Sequence, residues 1–506
     1  MLVNSNINIK TTTFDDLIIG SGPAGIACAL KLSKNKNRKI CIIEAGGFED
    51  KPKSISQNNY KGEITGDPYP ELDKYRARMF GGTLFYYSHC LRFFEKTDKF
   101  FSDGDEDKFR EELDSYMIEA LNHLGAKNFM KDNEIKDTNF KFFKYQYSDR
   151  KEYTVKKLKE KILSSENIYL FLNQNLTKIQ CSGNRVANIQ VKDYDKKAIN
   201  LKAKNYILAC GAIENSRILL FNQVLNKNKL ITNSETLGKY YTDHLEGFLG
   251  EASIWDTKLS NMNKNNPRNG FAYFAKNKHE LQKGKYNHGI RIYNHRFHAP
   301  GKYLRKKFGK SANALNNICR NETSDIKKKL LYDKLCESNI LILPEMKPNK
   351  NNKIFLSDKK DFFDIPRVKL NIDYSATRND LKEFAIDFGK FLIKKDLGRI
   401  RVAEHIINDL TKNTVKENDT HSIKQANLDF GVIPAEYPYT FAGHPMGGTK
   451  VSHKPENGIV DENLKVHGQE NLYVLGSSVF YNTGFANPTL TIVKLAHRLA
   501  DKLNNQ

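Results

Sequence analysis

The segment that most restricts the fold of this 506-residue chain is Asp16 to Glu44, DLIIGSGPAGIACALKLSKNKNRKICIIE. Its short apolar run Leu17 to Ile19 is typical of a buried strand, and GSGPAG follows immediately. Apolar residues then recur at helical spacing in IACALKL, and KICIIE reads as a second strand that ends in an acid. The order strand, glycine turn, helix, strand predicts a βαβ unit of the kind that binds a dinucleotide.

The three glycines of this loop have different predicted roles. Gly20 permits a tight turn, Gly22 lets the backbone approach a pyrophosphate, and Gly25 lets the helix pack closely against the strand. Pro23 and Ala24 belong to the same loop, at a helix N-terminus whose N–H groups and dipole suit phosphate.

Glu44 is the acid that such a unit places against a ribose. It lies 19 residues after Gly25, where a carboxylate can accept a hydrogen bond from the ribose 2′-hydroxyl. An acid at this position disfavours NADP, and these residues alone do not separate FAD from NAD. An ordinary glycine turn in an α/β protein is the alternative interpretation.

Composition limits the partners and the compartment. The formal net charge is +22, with lysines spread along the whole chain, which favours solvated basic faces over attraction to an anionic substrate, a membrane or nucleic acid. No nucleic-acid-binding module is visible, so no nucleic-acid partner is expected. Seven scattered cysteines without a CxxC indicate reduced thiols. The first 16 residues contain no apolar h-region and no apolar run approaches ~20 residues, so neither a secretory signal nor a membrane span is expected. We therefore expect a cytoplasmic location, no transmembrane segment and no metal site.

Further segments resemble the glucose–methanol–choline (GMC) oxidoreductases, which are FAD enzymes. These segments follow one another in the family's order: EAGG (44–47), RARMFGGTLFYYSHCLRF (76–93), NYILACGAIENSRILL (205–220), LGKYYTDHL (237–245), NNKIFLSDKKDFFDIPRVKLNIDY (351–374) and the block 444–499. The last block is most similar to the bacterial sugar-oxidising, pyranose-oxidase-like branch.

The resemblance implies an α/β protein with a discontinuous, Rossmann-like FAD-binding domain and a substrate domain built on a largely antiparallel sheet with helices. The expected FAD domain comprises 1–94, 160–245 and 440–506, and the expected substrate domain 246–439. Residues 95–159 carry no readable motif and are assigned to a cap or insertion. Alternating apolar and polar residues in the substrate domain suit a sheet solvated on one face. The run FAIDFGKFLIKKDL from Phe384 predicts an amphipathic helix.

The resemblance also implies a set of cofactor-binding residues. They are Gly20, Gly22, Pro23, Ala24, Gly25, Glu44, Ala45, Gly81, Gly82, Thr83, Leu176, Ala209, Gly211, Gly476, Ser477, Asn487, Pro488 and Thr489. Tyr86 occupies the position at which some members carry a histidine linked to the flavin, so non-covalent FAD is expected.

GHPMGGTK (443–450) and GFANPTL (484–490) supply the expected catalytic pair, His444 and Asn487. Oxidation of an alcohol by FAD sends a hydride to the flavin and a proton to a base, for which histidine is suited. In the sugar-oxidising branch an asparagine accompanies it and orients the hydroxyl. Asparagine before Pro488 at a helix start is also an ordinary N-cap, so both roles remain open on the residues alone.

The expected function is FAD-dependent oxidation of an alcohol to a carbonyl, on a sugar or sugar-like polyol that could be anionic, with His444 as general base. Oxygen, a quinone or a carrier protein would each fit as electron acceptor. A redox-neutral or lyase reaction on the same fold, or a non-catalytic FAD-binding protein, are the alternatives.

Overall fold

The structure is a computed structural model. It describes residues 2–3, 12–49, 55–127, 132–151, 153–254, 272–284, 286–292, 296–297, 336–402, 439–441, 443–482 and 484–506. The predicted substrate domain therefore lies partly outside the described residues, including 298–335 and 403–438.

The described strands belong to two large sheets and two small ones. In chain order they are β1 Leu2–Val3, β2 Thr13–Ile19, β3 Ile40–Ile43, β4 Glu63–Gly66, β5 Cys90–Leu91, β6 Asn133–Glu134, β7 Phe140–Phe143, β8 Gln146–Tyr147, β9 Ile168–Phe171, β10 Asn175–Ser182, β11 Arg185–Lys192, β12 Ala198–Leu208, β13 Leu245–Ile254, β14 Ala272–Lys276, β15 Gly289–Ile292, β16 Arg296–Phe297, β17 Cys336–Leu343, β18 Lys353–Lys360, β19 Pro366–Ile372, β20 Gly398–Val402, β21 Tyr439–Phe441 and β22 Leu472–Val474.

The described helices surround these sheets. They are α1 Pro23–Leu32, α2 Ile55–Asn58, α3 Asp107–Ser115, α4 Met117–His123, α5 Val155–Leu163, α6 Ala212–Leu225, α7 Lys278–Gln282, α8 Ser375–Lys394 and α9 Thr489–Asn504, with 3₁₀ turns at Gly82–Tyr86 and Ser477–Val479. No described helix is both long enough and apolar enough to span a membrane.

The first sheet has the strand order β1-β9-β3-β2-β12-β11-β10, with β22 beside β12. Its centre, β9, β3, β2, β12 and β22, is parallel. Of these strands, β3, β9 and β22 are short apolar runs, as expected where helices cover a sheet, and α9 packs along α1. The predicted βαβ unit is confirmed as β2, α1 and β3.

The register of the parallel strands gathers their carboxyl ends at one edge. Ile19 is paired with both Ile43 and Leu208, and Leu208 is paired with Val474. The residues that follow these strands therefore lie side by side although they are hundreds of positions apart in sequence. In parallel α/β sheets ligands bind at this edge.

The second sheet has the order β20-β13-β17-β15-β14-β7-β6, with β21 beside β13 and β16 beside β17, and all its described pairs are antiparallel. β6 and β7 come from the segment expected to be a cap or insertion. The helix predicted from Phe384 is confirmed as α8, which begins nine residues earlier at Ser375.

Both faces of the second sheet are buried at β14 and β15, contrary to the expected solvated face. Phenylalanines of α8 cover one face, where Phe388 contacts Phe140 and Phe274. The opposite face carries Tyr273 and Leu343 and lines an internal cavity, which is why it is not solvated as an outer surface would be.

The predicted fold class is confirmed.

Candidate active site

A cavity of ≈ 390 Å³ extends from the edge of the first sheet to the inner face of the second. It joins the glycine loop to the C-terminal block, so the two ends of the chain contribute to one site. All the expected site residues except Gly25 and Gly81 line it: Gly20, Gly22, Pro23, Ala24, Glu44, Ala45, Gly82, Thr83, Leu176, Ala209, Gly211, His444, Gly476, Ser477, Asn487, Pro488 and Thr489.

The glycine loop has the geometry that close approach of a ligand requires. A Cβ at Gly25 would lie 2.0 Å from the carbonyl oxygen of Gly20, and one at Gly20 would lie 2.6 Å from that of Ala209. Gly22, the N-cap of α1, has nothing within 4 Å of its Cβ position, so its backbone faces open space in the cavity. Gly25 thus serves packing, whereas Gly22 leaves room for a phosphate at the helix N-terminus.

Gly81 stands behind the loop and does not line the cavity. Its N–H donates to the carbonyl of Ser21 at 2.9 Å, and its φ is 89°. This contact ties the GGT segment to the glycine loop.

Glu44 is buried at the end of β3 and contacts the same loop. Its Oε2 accepts hydrogen bonds from Ser21 N at 3.1 Å and Ser21 Oγ at 2.7 Å, and its Oε1 accepts from Gly46 N at 2.9 Å. Burial raises its pKa, although these hydrogen bonds and the nearby charge of Arg78 oppose the rise. Two carboxylate oxygens offer about four acceptor sites, so capacity remains for a ribose hydroxyl.

A buried ion network forms the wall beside Glu44, and sequence reasoning missed it. Arg78 Nη2 donates to Asn175 Oδ1 at 2.7 Å, and Arg76 pairs with Glu214 at 3.2 Å. Arg217 pairs with Asp361 at 2.6 Å, which ties α6 to the β18–β19 hairpin. Arg76 and Arg78 lie in the RARMFGG segment, but their partners are too distant in sequence for the pairing to be recognised.

The bend after His444 needs glycine because other backbone passes very close. A Cβ at Gly447 would lie 2.1 Å from the carbonyl oxygen of Tyr240, and φ there is 75°. Thr242 and Met446 exchange two backbone hydrogen bonds at 2.9 and 2.8 Å. The GHPMGG bend is therefore fastened to the YYTDH segment that precedes β13.

His444 is half-buried and meets a second histidine that the sequence left unassigned. Its Nδ1 lies 3.0 Å from Nδ1 of His244, with the two rings nearly perpendicular at 89°. Burial lowers the pKa of His444 to about 4 and that of His244 well below its ordinary value. Both rings are therefore neutral near pH 7, and a neutral imidazole can accept a proton.

Asp243 holds the backbone of both histidines. Its Oδ1 accepts from His244 N at 2.7 Å and from His444 N at 2.8 Å, while its Oδ2 accepts from Tyr69 Oη at 2.6 Å. Complete burial raises the pKa of Asp243 to about 7 against the effect of these donors.

Asn487 does not cap the C-terminal helix. α9 begins at Thr489 with Pro488 as N-cap, one residue later than predicted, and it has no side-chain cap. Asn487 Nδ2 instead donates to the carbonyl of Cys90 at 3.2 Å. Among the described residues nothing hydrogen-bonds to Asn487 Oδ1, and the residue lines the cavity.

Polar side chains on the inner face of the second sheet also line the cavity. Glu246 of β13, Arg291 of β15 and Tyr273 of β14 all line it, together with Tyr145. Arg291 Nη2 lies 3.9 Å from Glu246 Oε2, and both side chains are largely buried. A cation and an anion thus share a wall that is otherwise mostly aromatic. No sequence motif marked these residues.

The GGTLFYYSHC segment forms part of the cavity mouth. Tyr86 is 46% exposed, lines the cavity and contacts the rings of Tyr75 and Phe85. His89 lies off the cavity lining, with Nδ1 3.1 Å from Ser148 Oγ.

Comparisons with known proteins match part of this chain to one family model. Residues 348–496 match the family model described as GMC oxidoreductase. The chain is 22% identical over 334 residues to the fructose dehydrogenase large subunit of Gluconobacter japonicus, covering 64% of this chain and 51% of that protein. A 59-residue stretch is 46% identical to cholesterol oxidase of Acinetobacter baumannii, covering 12% of this chain and 10% of that protein. The chain thus spans only about half the length of the fructose dehydrogenase subunit.

Solved structures share the fold over nearly the whole chain. Pyridoxine 4-oxidase from Mesorbium loti superposes with a TM-score of 0.60 at 14% identity, covering 98% of this chain and 100% of that one. Formate oxidase superposes with a TM-score of 0.55 at 16% identity, covering 98% of each. The resemblance to the GMC oxidoreductases predicted from the sequence is confirmed.

Proposed function

We propose that this chain, whose C-terminal part matches the GMC oxidoreductases, is a FAD-dependent oxidoreductase that converts an alcohol to a carbonyl compound. The observation that carries the proposal is that one cavity joins the dinucleotide-type glycine loop to His444 and Asn487. A non-catalytic binding protein would not need a neutral histidine and an amide in the same cavity as the glycine loop.

The residues present fit FAD. The open Cβ position of Gly22 and the N-terminus of α1 suit the pyrophosphate, and Glu44 suits the adenosine ribose. The N-terminus of α9, at Pro488 and Thr489, opens on the cavity, where its dipole favours negative charge. FAD held there would supply the hydride acceptor.

FAD in this proposal is bound without a covalent link. Tyr86 stands where some members have the linking histidine, and His89, the histidine nearest to it in sequence, is directed to Ser148. Acid precipitation should therefore release all the flavin into the supernatant. Flavin that stays in the pellet would contradict this attachment mode.

His444 and Asn487 act on the substrate hydroxyl. The lone pair of neutral His444 takes the hydroxyl proton, because burial keeps this ring unprotonated above about pH 4. Asn487 orients the hydroxyl, since one N–H of its Nδ2 donates to the carbonyl of Cys90 and the other can donate to the hydroxyl oxygen. The acid–base step is thus performed by groups that the fold fixes before substrate arrives.

The substrate class that fits best is a sugar or sugar-like polyol. Glu246 and Arg291 offer hydrogen-bond acceptors and donors on one wall, and Tyr145 and Tyr273 add hydroxyls and ring faces. Several hydroxyls on one small molecule could use these groups together. Since the two charges offset each other, the wall favours a neutral polyol over a strongly anionic substrate.

The proposal assigns cofactor binding and substrate binding to different parts of the chain. In this proposal residues 1–94, 160–245 and 440–506 bind FAD and residues 246–439 bind substrate. Residues 95–159 contribute β6 and β7 to the edge of the substrate sheet and α3 and α4 against α9.

The test is an anaerobic screen of sugars and polyols for bleaching of the oxidised flavin spectrum by the purified holoprotein. His444→Ala should keep the flavin and slow its reduction by roughly 10²–10⁴-fold, the usual contribution of a positioned base. His467→Ala is a matched control, because His467 also lies in the C-terminal block but contacts Ser452 away from the cavity. Reoxidation with oxygen and with a quinone then separates an oxidase from a dehydrogenase.

Flavin that no alcohol bleaches would overturn the proposed oxidation and favour a redox-neutral reaction or simple binding. Equal rates in His444→Ala and the wild-type protein would remove His444 from the mechanism.

A further inference from the structure

The contact between His244 and His444 restricts which ring nitrogen of each histidine carries its proton. The two Nδ1 atoms are 3.0 Å apart, so one must carry a hydrogen and the other a lone pair. A neutral imidazole has one N–H and one acceptor nitrogen, so knowing the donor on one ring fixes the other ring as well.

The partner of the second nitrogen identifies the donor. The ring of His244 also hydrogen-bonds to the Gly484 backbone, and this contact raises the pKa of His244, as donation to a carbonyl oxygen does. Since Nδ1 of His244 faces His444, the N–H that reaches Gly484 is on Nε2. Nδ1 of His244 is then the acceptor, and the hydrogen between the rings belongs to His444.

Backbone hydrogen bonds hold the two histidines beside each other. Asp243 holds the backbone N–H groups of both histidines, and the Thr242–Met446 bridge fastens the two segments beside it. Gly484 has φ of 52°, and a Cβ there would lie 2.5 Å from Asp98 Oδ1, so only glycine suits this position. Gly484 lies on the loop that leads to Asn487, so one loop positions both members of the catalytic pair.

We infer that His244 is a positioning residue that keeps the proton of His444 on Nδ1 and thereby leaves Nε2 of His444 as the basic atom facing the cavity. Among the described residues none hydrogen-bonds to Nε2 of His444, and the residue lines the cavity. Without His244 as an acceptor, the ring of His444 can carry its proton on either nitrogen and rotate. This inference assigns LGKYYTDHL a role beyond connecting two domains, and its kinetic consequence rests on the proposed function.

The first experiment needs no substrate. Holoprotein labelled with ¹⁵N-histidine would be studied by NMR at neutral pH, with His444→Ala identifying the His444 signals. The expected result is a protonated Nδ1 and an unprotonated Nε2, with this tautomer lost or mixed in His244→Phe. A His444 ring that carries its proton on Nε2 in the wild-type protein would overturn the inference. This readout stands even if no alcohol reduces the flavin, so its failure is distinct from failure of the proposed function.

The second experiment measures flavin reduction against pH in His244→Phe and His244→Gln. Phenylalanine keeps the ring but removes the acceptor, and reduction should slow on the order of 10²-fold with flavin retained, because the base is misplaced. Glutamine supplies an acceptor for His444 and a donor for Gly484, so it should recover most of the rate. His89→Phe, which removes a histidine outside the cavity lining, should match the wild-type protein. Equal rates in the phenylalanine and glutamine variants would contradict the role of His244. If the phenylalanine variant fails to fold, the wild-type tautomer and the glutamine variant still decide the inference.

Discussion

Asn487 and Cys90 are 397 residues apart in sequence, yet the side-chain amide of the first donates to the carbonyl of the second at 3.2 Å. This bond connects the loop before α9 to β5, just beyond the GGTLFYY segment. Helix capping does not explain Asn487, since α9 has Pro488 at its N-cap position and no side-chain cap. What holds Asn487 is a contact across the cavity wall, which suits a residue whose amide must point in a fixed direction.

Replacing Asn487 by alanine or by aspartate should separate the effect of losing this hydrogen bond from the effect of adding a negative charge at the site. Both variants lose the amide donor to Cys90, so Asn487→Ala should lose about 1 kcal/mol of stability, and Asn487→Asp should lose more because its carboxylate faces the Cys90 carbonyl oxygen. Aspartate also places a negative charge where hydride transfer makes the flavin more negative. Flavin reduction in stopped flow should therefore be slower in Asn487→Asp than in Asn487→Ala. An aspartate variant that reduces its flavin at the wild-type rate would show that Asn487 has no catalytic role.

Glu44 is expected to bind the cofactor as well as the loop. A hydrogen bond to a charged acceptor contributes about 1.5–3 kcal/mol, so Glu44→Ala should weaken FAD binding by roughly ten- to a hundred-fold in a titration of the apoprotein. Ser21→Ala is the matched control, because it removes the loop's hydroxyl contact to Glu44 and leaves the carboxylate in place. Equal loss of affinity in the two variants would mean that Glu44 only supports the loop.

His497 gives the folded protein a defined sensitivity to acid. This α9 residue is buried beside His123 and Glu119, with Lys31, Lys34 and Asp501 nearby, and burial lowers its pKa to about 4. The unfolded chain, with an ordinary histidine pKa near 6.5, binds the proton first, so stability is lost as the pH falls from about 6.5 towards 4.

His497→Phe should remove this part of the pH dependence. Between pH 7 and pH 5 the variant should lose about 2 kcal/mol less stability than the wild-type protein, as measured by denaturant unfolding at each pH. Comparing variant with wild type cancels the opposite contribution of Asp98 and Asp243, whose raised pKa values favour the folded state in acid. The same substitution at exposed His279 is the matched control. Identical acid sensitivity of His497→Phe and wild type would show that His497 does not titrate as described.

The elements that could be predicted from the sequence are those whose residues are neighbours in the chain. The βαβ unit could be predicted because its strand, turn, helix and acid are continuous from Asp16 to Glu44, and each requires a distinct residue type. The helix near Pro488 could be predicted to within one residue for the same reason. The residues expected to bind the cofactor after other strands were reached through family resemblance, and the strand register explains why they lie near Gly20.

The remaining site residues could not be predicted because the role of each depends on a partner that is distant in sequence. Nothing local marks His244 as the partner of His444, since the two are 200 residues apart and meet only when β13 and the GHPMGG bend lie together. Glu246 and Arg291 are ordinary strand residues until the register of β13, β17 and β15 turns them to one face. The Arg76–Glu214 pair is likewise visible only after folding.

Glu246 and Arg291 should determine whether the protein prefers a neutral, an acidic or a basic substrate. They oppose each other at 3.9 Å on the inner face of the second sheet, so the wall is close to neutral as a unit. Glu246→Gln removes the carboxylate and keeps the guanidinium of Arg291 in a largely buried wall, which should attract a sugar acid. Arg291→Gln leaves an uncompensated carboxylate, which should attract an amino sugar.

The measurement is the ratio of kcat/KM for a charged sugar to that for its neutral parent, in each variant and the wild-type protein. Hydrogen bonds to charged groups contribute about 1.5–3 kcal/mol, so each ratio should change by roughly ten- to a hundred-fold, and in opposite directions for the two variants. The limiting rate of flavin reduction should change little, because His444 and Asn487 are untouched. The effect should weaken in added salt if screening reaches the cavity mouth. Ratios that stay constant in both variants would mean that this pair only holds β13 to its neighbours, and that substrate recognition lies with the tyrosines.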